Sequence, residues 1–129
     1  MTNPTHITFE NHCDTVYKPL VNVYMELSIL QKRALEIRSK YSELEKARGA
    51  QWTRGDIVKG LVGDVGDLVK LTMAKDGLRE VDNVDQKLAH ELADCLWSIL
   101  VIAEKYNIDI ETSFLKTMDE LEIRINTTN

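Results

Sequence analysis

The chain has 129 residues, 43% of them hydrophobic, enough for one core, and it reads as a single domain over 1–129. Its 21 acidic and 16 basic residues leave a net charge of −5, which disfavours the basic stripe that a nucleic-acid polymer needs but not a small phosphorylated ligand. Cys13 and Cys95 form no CxxC, no basic patch precedes an apolar run at the N-terminus, and no apolar stretch nears the ~18 residues of a membrane span. A soluble, cytoplasmic, membrane-free protein is expected.

Residues 1–17 read as an N-terminal arm or a short helix. The first long helix is expected from Lys18, with Pro19 in its first turn where the missing N–H costs nothing, to Arg48-Gly49. Leu20, Val23, Leu27, Leu30, Ala34, Ile37, Tyr41 and Leu44 recur at alternating steps of three and four, a seam for near-parallel helix packing. At ~1.5 Å per residue such a helix is roughly 40 Å long. That is long for so small a domain, so part of it is expected to pack on another subunit.

Thr53 has the chemistry of an N-cap and Asp56 sits where a capping-box acid belongs, so a second helix opens here. Ile57, Leu61, Val65, Leu68 and Leu71 supply its buried stripe, and Asp76-Gly77 closes it. After a polar loop over 78–84, a third helix is expected from about Asp85 to Tyr106, with Leu88, Leu92, Cys95, Leu96, Ile99 and Ala103 inward. Asn107 ends it. Asp109 caps a fourth, whose apolar face is Phe114, Leu115, Met118, Leu121 and Ile125. No run alternates with period two, so the fold class is all-α, a four- to five-helix bundle.

Acids interrupt this pattern. In GLVGDVGDLVKL, Asp64 and Asp67 are three apart and share a helix face; in HELAD, Glu91 and Asp94 do the same. One such pair is ordinarily a solvated face. Two pairs on successive helices, each at the margin of an apolar stripe, converge if the helices pack antiparallel. Four carboxylates cannot all stay ionised at close range without a cation. An all-oxygen donor set of this kind suits Mg²⁺, or Mn²⁺, which also bridges to phosphate oxygens and activates water. Gly60, Gly63 and Gly66 leave room for a close helix neighbour or a ligand.

Other motifs carry less. HELAD lacks the second histidine of the zinc-protease HExxH, and GLVGDVG matches neither GxGxxG after a strand nor GxxxxGK[ST]. Cys95 reads as a buried free thiol. Lys70, Lys75 and Arg79 gather towards the end of the second helix, where cations suit the helix dipole or would grip a triphosphate. His90 is a candidate for phosphate contact, or simply an exposed histidine. Trp52 is a candidate for base stacking, whereas Trp97, inside the third helix, reads as core or interface.

WTRGDIVKGLVGDVGDLVKL, AKDG and KLAHELADCLWSILVIAEKYNIDIETSF together resemble the MazG-like nucleoside triphosphate pyrophosphohydrolases, an all-α superfamily that includes the dimeric dUTPases. The resemblance covers roughly residues 50–125, and ELADCLWSILVIAEKYNID is its most specific part. It implies Mg²⁺ held by an ExxE pair and an ExxD pair, which fall on Asp64, Asp67, Glu91 and Asp94. It implies water attack between the α and β phosphates, with Asp64 and Glu91 the catalytic acids, and release of pyrophosphate from a nucleoside triphosphate. It also implies a homodimer or homotetramer in which a neighbouring subunit helps complete the site.

The chain departs from that pattern in three places. Aspartates replace both glutamates of ExxE, shortening each reach by ~1.5 Å. Gly63 stands where many members carry another Glu, and the Lys common in the last helix, near Glu120, has only Arg124 as a nearby substitute. A catalytically silent nucleotide-binding sensor, or an oligomeric interaction module, is therefore the alternative to an active pyrophosphohydrolase.

Overall fold

A computed structural model describes residues 26–127. The arm over 1–17, Lys18 and Pro19, the seam positions Leu20 and Val23, and Cys13 lie outside the described residues, but the unbroken helix expected from Lys18 is corrected: Glu26 is extended (φ −64°, ψ 148°) and the first helix begins at Leu27. Four helices follow in order: α1 (Leu27–Ala47), α2 (Arg54–Lys75), α3 (Val84–Lys105) and α4 (Ile110–Thr127). Among the described residues there is no strand, and no helix is long and apolar enough to cross a membrane.

Local chemistry fixes the helix ends. The Thr53 hydroxyl accepts the Asp56 N–H at 3.2 Å while Asp56 Oδ2 accepts the Thr53 N–H at 2.9 Å, a complete capping box. The Thr53 hydroxyl at 2.7 Å, the Thr53 N–H and Lys59 Nζ all donate to the Asp56 carboxylate and hold its carboxyl down to about 2. At the start of α4, Asp109 Oδ1 accepts the Thr112 N–H at 3.0 Å. Gly49 (φ 71°) and Gly77 (φ 76°) stop α1 and α2 in the left-handed region that only glycine adopts without penalty. Asn107, the next best choice, does the same after α3 at φ 55°.

The core forms where α1, α2 and α3 meet: Ala34, Ile57, Leu100 and Val101 are buried there, with Leu27, Trp97, Ile102 and Ile110 packed around them. Trp97 Nε1 donates to the Ala34 carbonyl at 3.0 Å, satisfying the indole and tying α3 to α1.

The buried faces differ from the expected stripes. In α3, Cys95 and Ala103 are buried as expected, but Leu92, Leu96 and Ile99 are exposed, and Ser98, Leu100 and Val101 are buried instead. In α2, Val65 is exposed while Asp64 turns inward, and in α1 Leu30, Tyr41 and Leu44 are exposed while Arg38 is buried. One rotation explains each shift: the face meeting the neighbouring helix carries both apolar and charged residues, and counting apolar spacing alone misses the charged ones. Helix α4 buries none of its residues: Phe114, Leu115, Met118, Leu121 and Ile125 are all exposed, and none of the other helices among the described residues covers them.

Candidate functional site

Three cross-helix pairs set the register of α2 against α3. The Arg54 guanidinium lies 5.0 Å from the Tyr106 ring centroid, Ser98 Oγ donates to Asp64 Oδ2 at 3.1 Å, and Lys75 pairs with Asp85. Each step forward along α2 meets a step backward along α3, so the helices are antiparallel. In that register Asp64 and Asp67 fall opposite the turns of α3 that carry Glu91 and Asp94.

Electrostatics report the same convergence. The Glu91 carboxyl is pushed up by burial and then by the charges of Asp67, Asp64 and Asp94, with only His90 opposing them. The Cys95 thiol is pushed up by burial and by Asp64, Glu91 and Asp94, so it stays protonated and unreactive, as a buried free cysteine should. The two acidic pairs therefore share one negative field between α2 and α3.

Each acid is held differently. Asp64 is half-buried and bound by Ser98. Asp67 reaches outward to Lys70 Nζ at 2.6 Å, and Asp94 takes His90 Nε2 at 3.1 Å. No ion pair among the described residues reaches Asp64 or Glu91. As they stand, no three His, Cys, Asp or Glu side chains among the described residues are close enough together to hold an ion. Asp67 and Asp94 turn to donors on their own helices and Asp64 to Ser98 across the groove. The donor set itself, four carboxylates in an excess of negative charge, fits a hard divalent cation.

Two cavities flank these acids and differ in chemistry. The first, about 430 Å³, is lined by Asp67 and Glu91 together with Lys70, Arg79, Lys87 and His90. It is a basic vestibule on the side of the α2–α3 loop. The second, about 180 Å³, is lined by Asp64 and Ser98 together with Tyr41, Trp52, Trp97, Arg38 and Glu45. It is an aromatic slot between α1, the α1–α2 loop and α3. The Tyr41 and Trp97 rings lie 5.8 Å apart at its wall.

Lys70, Arg79 and His90 thus gather at one cavity, as expected for a common ligand, whereas Lys75 does not line it and pairs with Asp85 across the interhelical loop. Trp52 lies on the other side, at the aromatic slot. Of the glycines, only Gly60 is closely approached: a Cβ there would lie 3.1 Å from Trp52 Cζ3, while Gly63 and Gly66 meet nothing within 4 Å. The room expected at Gly63 and Gly66 faces open space.

Sequence reasoning missed Lys87, Ser98, Tyr41, Arg38 and Glu45. Lys87 lies three residues before His90 and four before Glu91, so helical spacing offered a signal. Ser98 lies four after Asp94, on the acid face of α3, and could have been found the same way. Arg38 and Glu45 are seven apart on α1 and carry no local signal that they turn inward together.

A family model described as the MazG nucleotide pyrophosphohydrolase domain matches residues 56–128, more than half of the chain. No curated protein and no solved structure matches it.

Proposed function

Because the chain belongs to the MazG nucleotide pyrophosphohydrolase family, we propose that it hydrolyses a (deoxy)nucleoside triphosphate to the monophosphate and pyrophosphate in a Mg²⁺-dependent reaction. The observation that carries the reading is the shared field of Asp64, Asp67, Glu91 and Asp94, flanked by a basic cavity on one side and an aromatic cavity on the other. These four acids would hold the ion. When bound, a divalent cation neutralises phosphate charge and makes a coordinated water more acidic.

The chain's own residues supply the rest. Lys70, Arg79, Lys87 and His90 meet the triphosphate through charge-assisted hydrogen bonds, with Lys70 exchanging Asp67 for phosphate. Glu91, facing Asp64, Asp67 and Asp94 between α2 and α3, would share in holding the ion and so orient the attacking water. Asp64, fixed by Ser98, keeps its oxygens aimed across the groove. Trp52 provides a face for the base. The basic side of the site and its aromatic side match the two ends of a nucleotide.

The assay is pyrophosphate release from a panel of eight ribo- and deoxyribonucleoside triphosphates with Mg²⁺ or Mn²⁺, using Glu91→Gln as control. Release that disappears in the variant supports the enzyme. Equal release by both proteins, or none from any nucleotide, rejects it.

A second reading is a silent nucleotide-binding sensor. It draws on the open space at Gly63, where no side chain is available to position water. Mg²⁺-dependent binding of nucleotide without turnover would establish that reading instead.

Assembly into a homodimer or homotetramer is part of the proposal. Its support is the apolar face of α4, left exposed by the described residues, with Phe114 and Leu115 both more than half exposed. Light scattering that returns the 14.8 kDa mass of one chain rejects it.

A further inference from the structure

The aromatic slot has a built support that no part of the phosphate chemistry uses. Arg38 is buried on α1, and its guanidinium forms a bidentate pair with Glu45, Nη1 to Oε1 at 2.6 Å and Nη2 to Oε2 at 2.9 Å. Glu45 Oε2 also accepts the backbone N–H of Trp52 at 3.0 Å. Two contacts therefore locate the indole: Glu45 holds its main chain, and the bare backbone of Gly60 lies under its ring. Arg38 Nε–H is, among the described residues, the buried side-chain polar atom left without a partner, so the pair is satisfied towards Glu45 alone.

A fork of this kind is rigid. A planar guanidinium bound through two parallel N–H···O contacts fixes both side chains in one geometry. Trp52 belongs to the short loop between α1 and α2 and is half-exposed, with the Gly60 backbone under one side of its ring. The hydrogen bond that ties the Trp52 main chain to α1 comes from Glu45.

We propose that Arg38 and Glu45 are positioning residues for base recognition: they clamp Trp52 so that its indole forms one wall of a slot for the planar base of the nucleotide. The inference rests on the nucleotide reading above and goes further in assigning the base end to a device on α1, outside the matched family region, which begins at residue 56. The pair touches neither phosphate nor the four acids. Its loss changes affinity for ligands that carry a base and leaves ligands without one alone.

The test compares binding of α,β-methylene analogues of the four deoxynucleoside triphosphates with binding of inorganic tripolyphosphate, both with Mg²⁺, by calorimetry on the full chain. Glu45→Ala is expected to weaken the best-bound nucleotide about tenfold, the share of a base–aromatic stack that a misplaced indole forfeits, and to change tripolyphosphate by less than about twofold. In a Trp52→Ala background, Glu45→Ala should add nothing further, since both act through one contact. Where Glu45→Ala fails to fold, the paired replacement Arg38→Met with Glu45→Met keeps the volume, removes the acceptor and is expected to give the same selective loss.

Equal weakening of nucleotide and tripolyphosphate, additive effects of Glu45→Ala and Trp52→Ala, or no loss at all in any variant would each overturn the proposal while leaving the metal and phosphate reading standing. A wild-type chain that binds neither ligand sinks both.

Discussion

Ser98 on α3 donates its hydroxyl to Asp64 on α2 at 3.1 Å, across the groove that holds the acids. Ser98 is buried, so the bond is shielded from water, and it gives Asp64 one fixed orientation among carboxylates that repel each other. Ser98→Ala should lower stability by about 1 kcal/mol, the usual net worth of such a bond. The urea midpoint should fall with an unchanged slope. Titration with Mg²⁺ should also show weaker binding, because Asp64 then has to be ordered by the ion itself. A variant with the wild-type midpoint and the wild-type Mg²⁺ affinity would show that the bond does nothing.

Glu91 predicts a pH effect with a definite sign. Burial and its three acidic neighbours raise its carboxyl above the ordinary 4.5, so the charged form is disfavoured in the folded state. The metal-free protein therefore gives up stability as pH rises from 4.5 through the raised value and stays weakened above it. Glu91→Gln carries no such penalty. Without Mg²⁺ at pH 8 the variant should melt higher than wild type, with the gap closing as the pH is brought towards 4.5. Mg²⁺ should raise the melting temperature of wild type and have little effect on the variant. Melting curves at several pH values decide it.

The Arg38–Glu45 pair predicts the opposite slope at acid pH. The bonds from Arg38 and from the Trp52 N–H hold the Glu45 carboxyl down to about 2, from 4.5. A depressed carboxylate contributes stability that is complete above 4.5 and lost as pH falls towards about 2. Acid unfolding of wild type should therefore steepen across that interval, while Glu45→Gln should start less stable and lose less there. Circular dichroism at 222 nm against pH separates the two curves.

Glycines on α2 divide into two kinds. Gly63 and Gly66 meet nothing within 4 Å of an added Cβ, so Gly63→Ala and Gly66→Ala should each stabilise the helix by about 0.5–1 kcal/mol. At Gly60 the new methyl lies 3.1 Å from Trp52 Cζ3 and the indole has to give way. Gly60→Ala should keep part of the helix gain and lose nucleotide affinity. Urea melts and nucleotide titrations of the three variants check both halves; a Gly60→Ala protein with unimpaired nucleotide affinity would contradict the stacking role of Trp52.

Much of this was legible from residues alone because it depends on neighbours in the chain. The Thr53–Asp56 capping box, the left-handed stops at Gly49, Gly77 and Asn107, and the cap at Asp109 are local chemistry, and each stands where the sequence puts it. The two acidic pairs were readable for the same reason, since a spacing of three on a helix means a shared face.

Tertiary structure decided which faces meet. Apolar spacing marked Leu92, Leu96 and Ile99 as inward, but the antiparallel register turned Ser98 and the acids towards α2 and left those residues outside. Arg38 and Glu45 look like surface charges until α1 and its following loop close on each other; only then does the fork hold Trp52. Spacing along a helix fixes what shares a face, because the helical repeat is a property of the backbone. What that face opposes depends on distant segments packing together, and the chain order alone does not contain their distances.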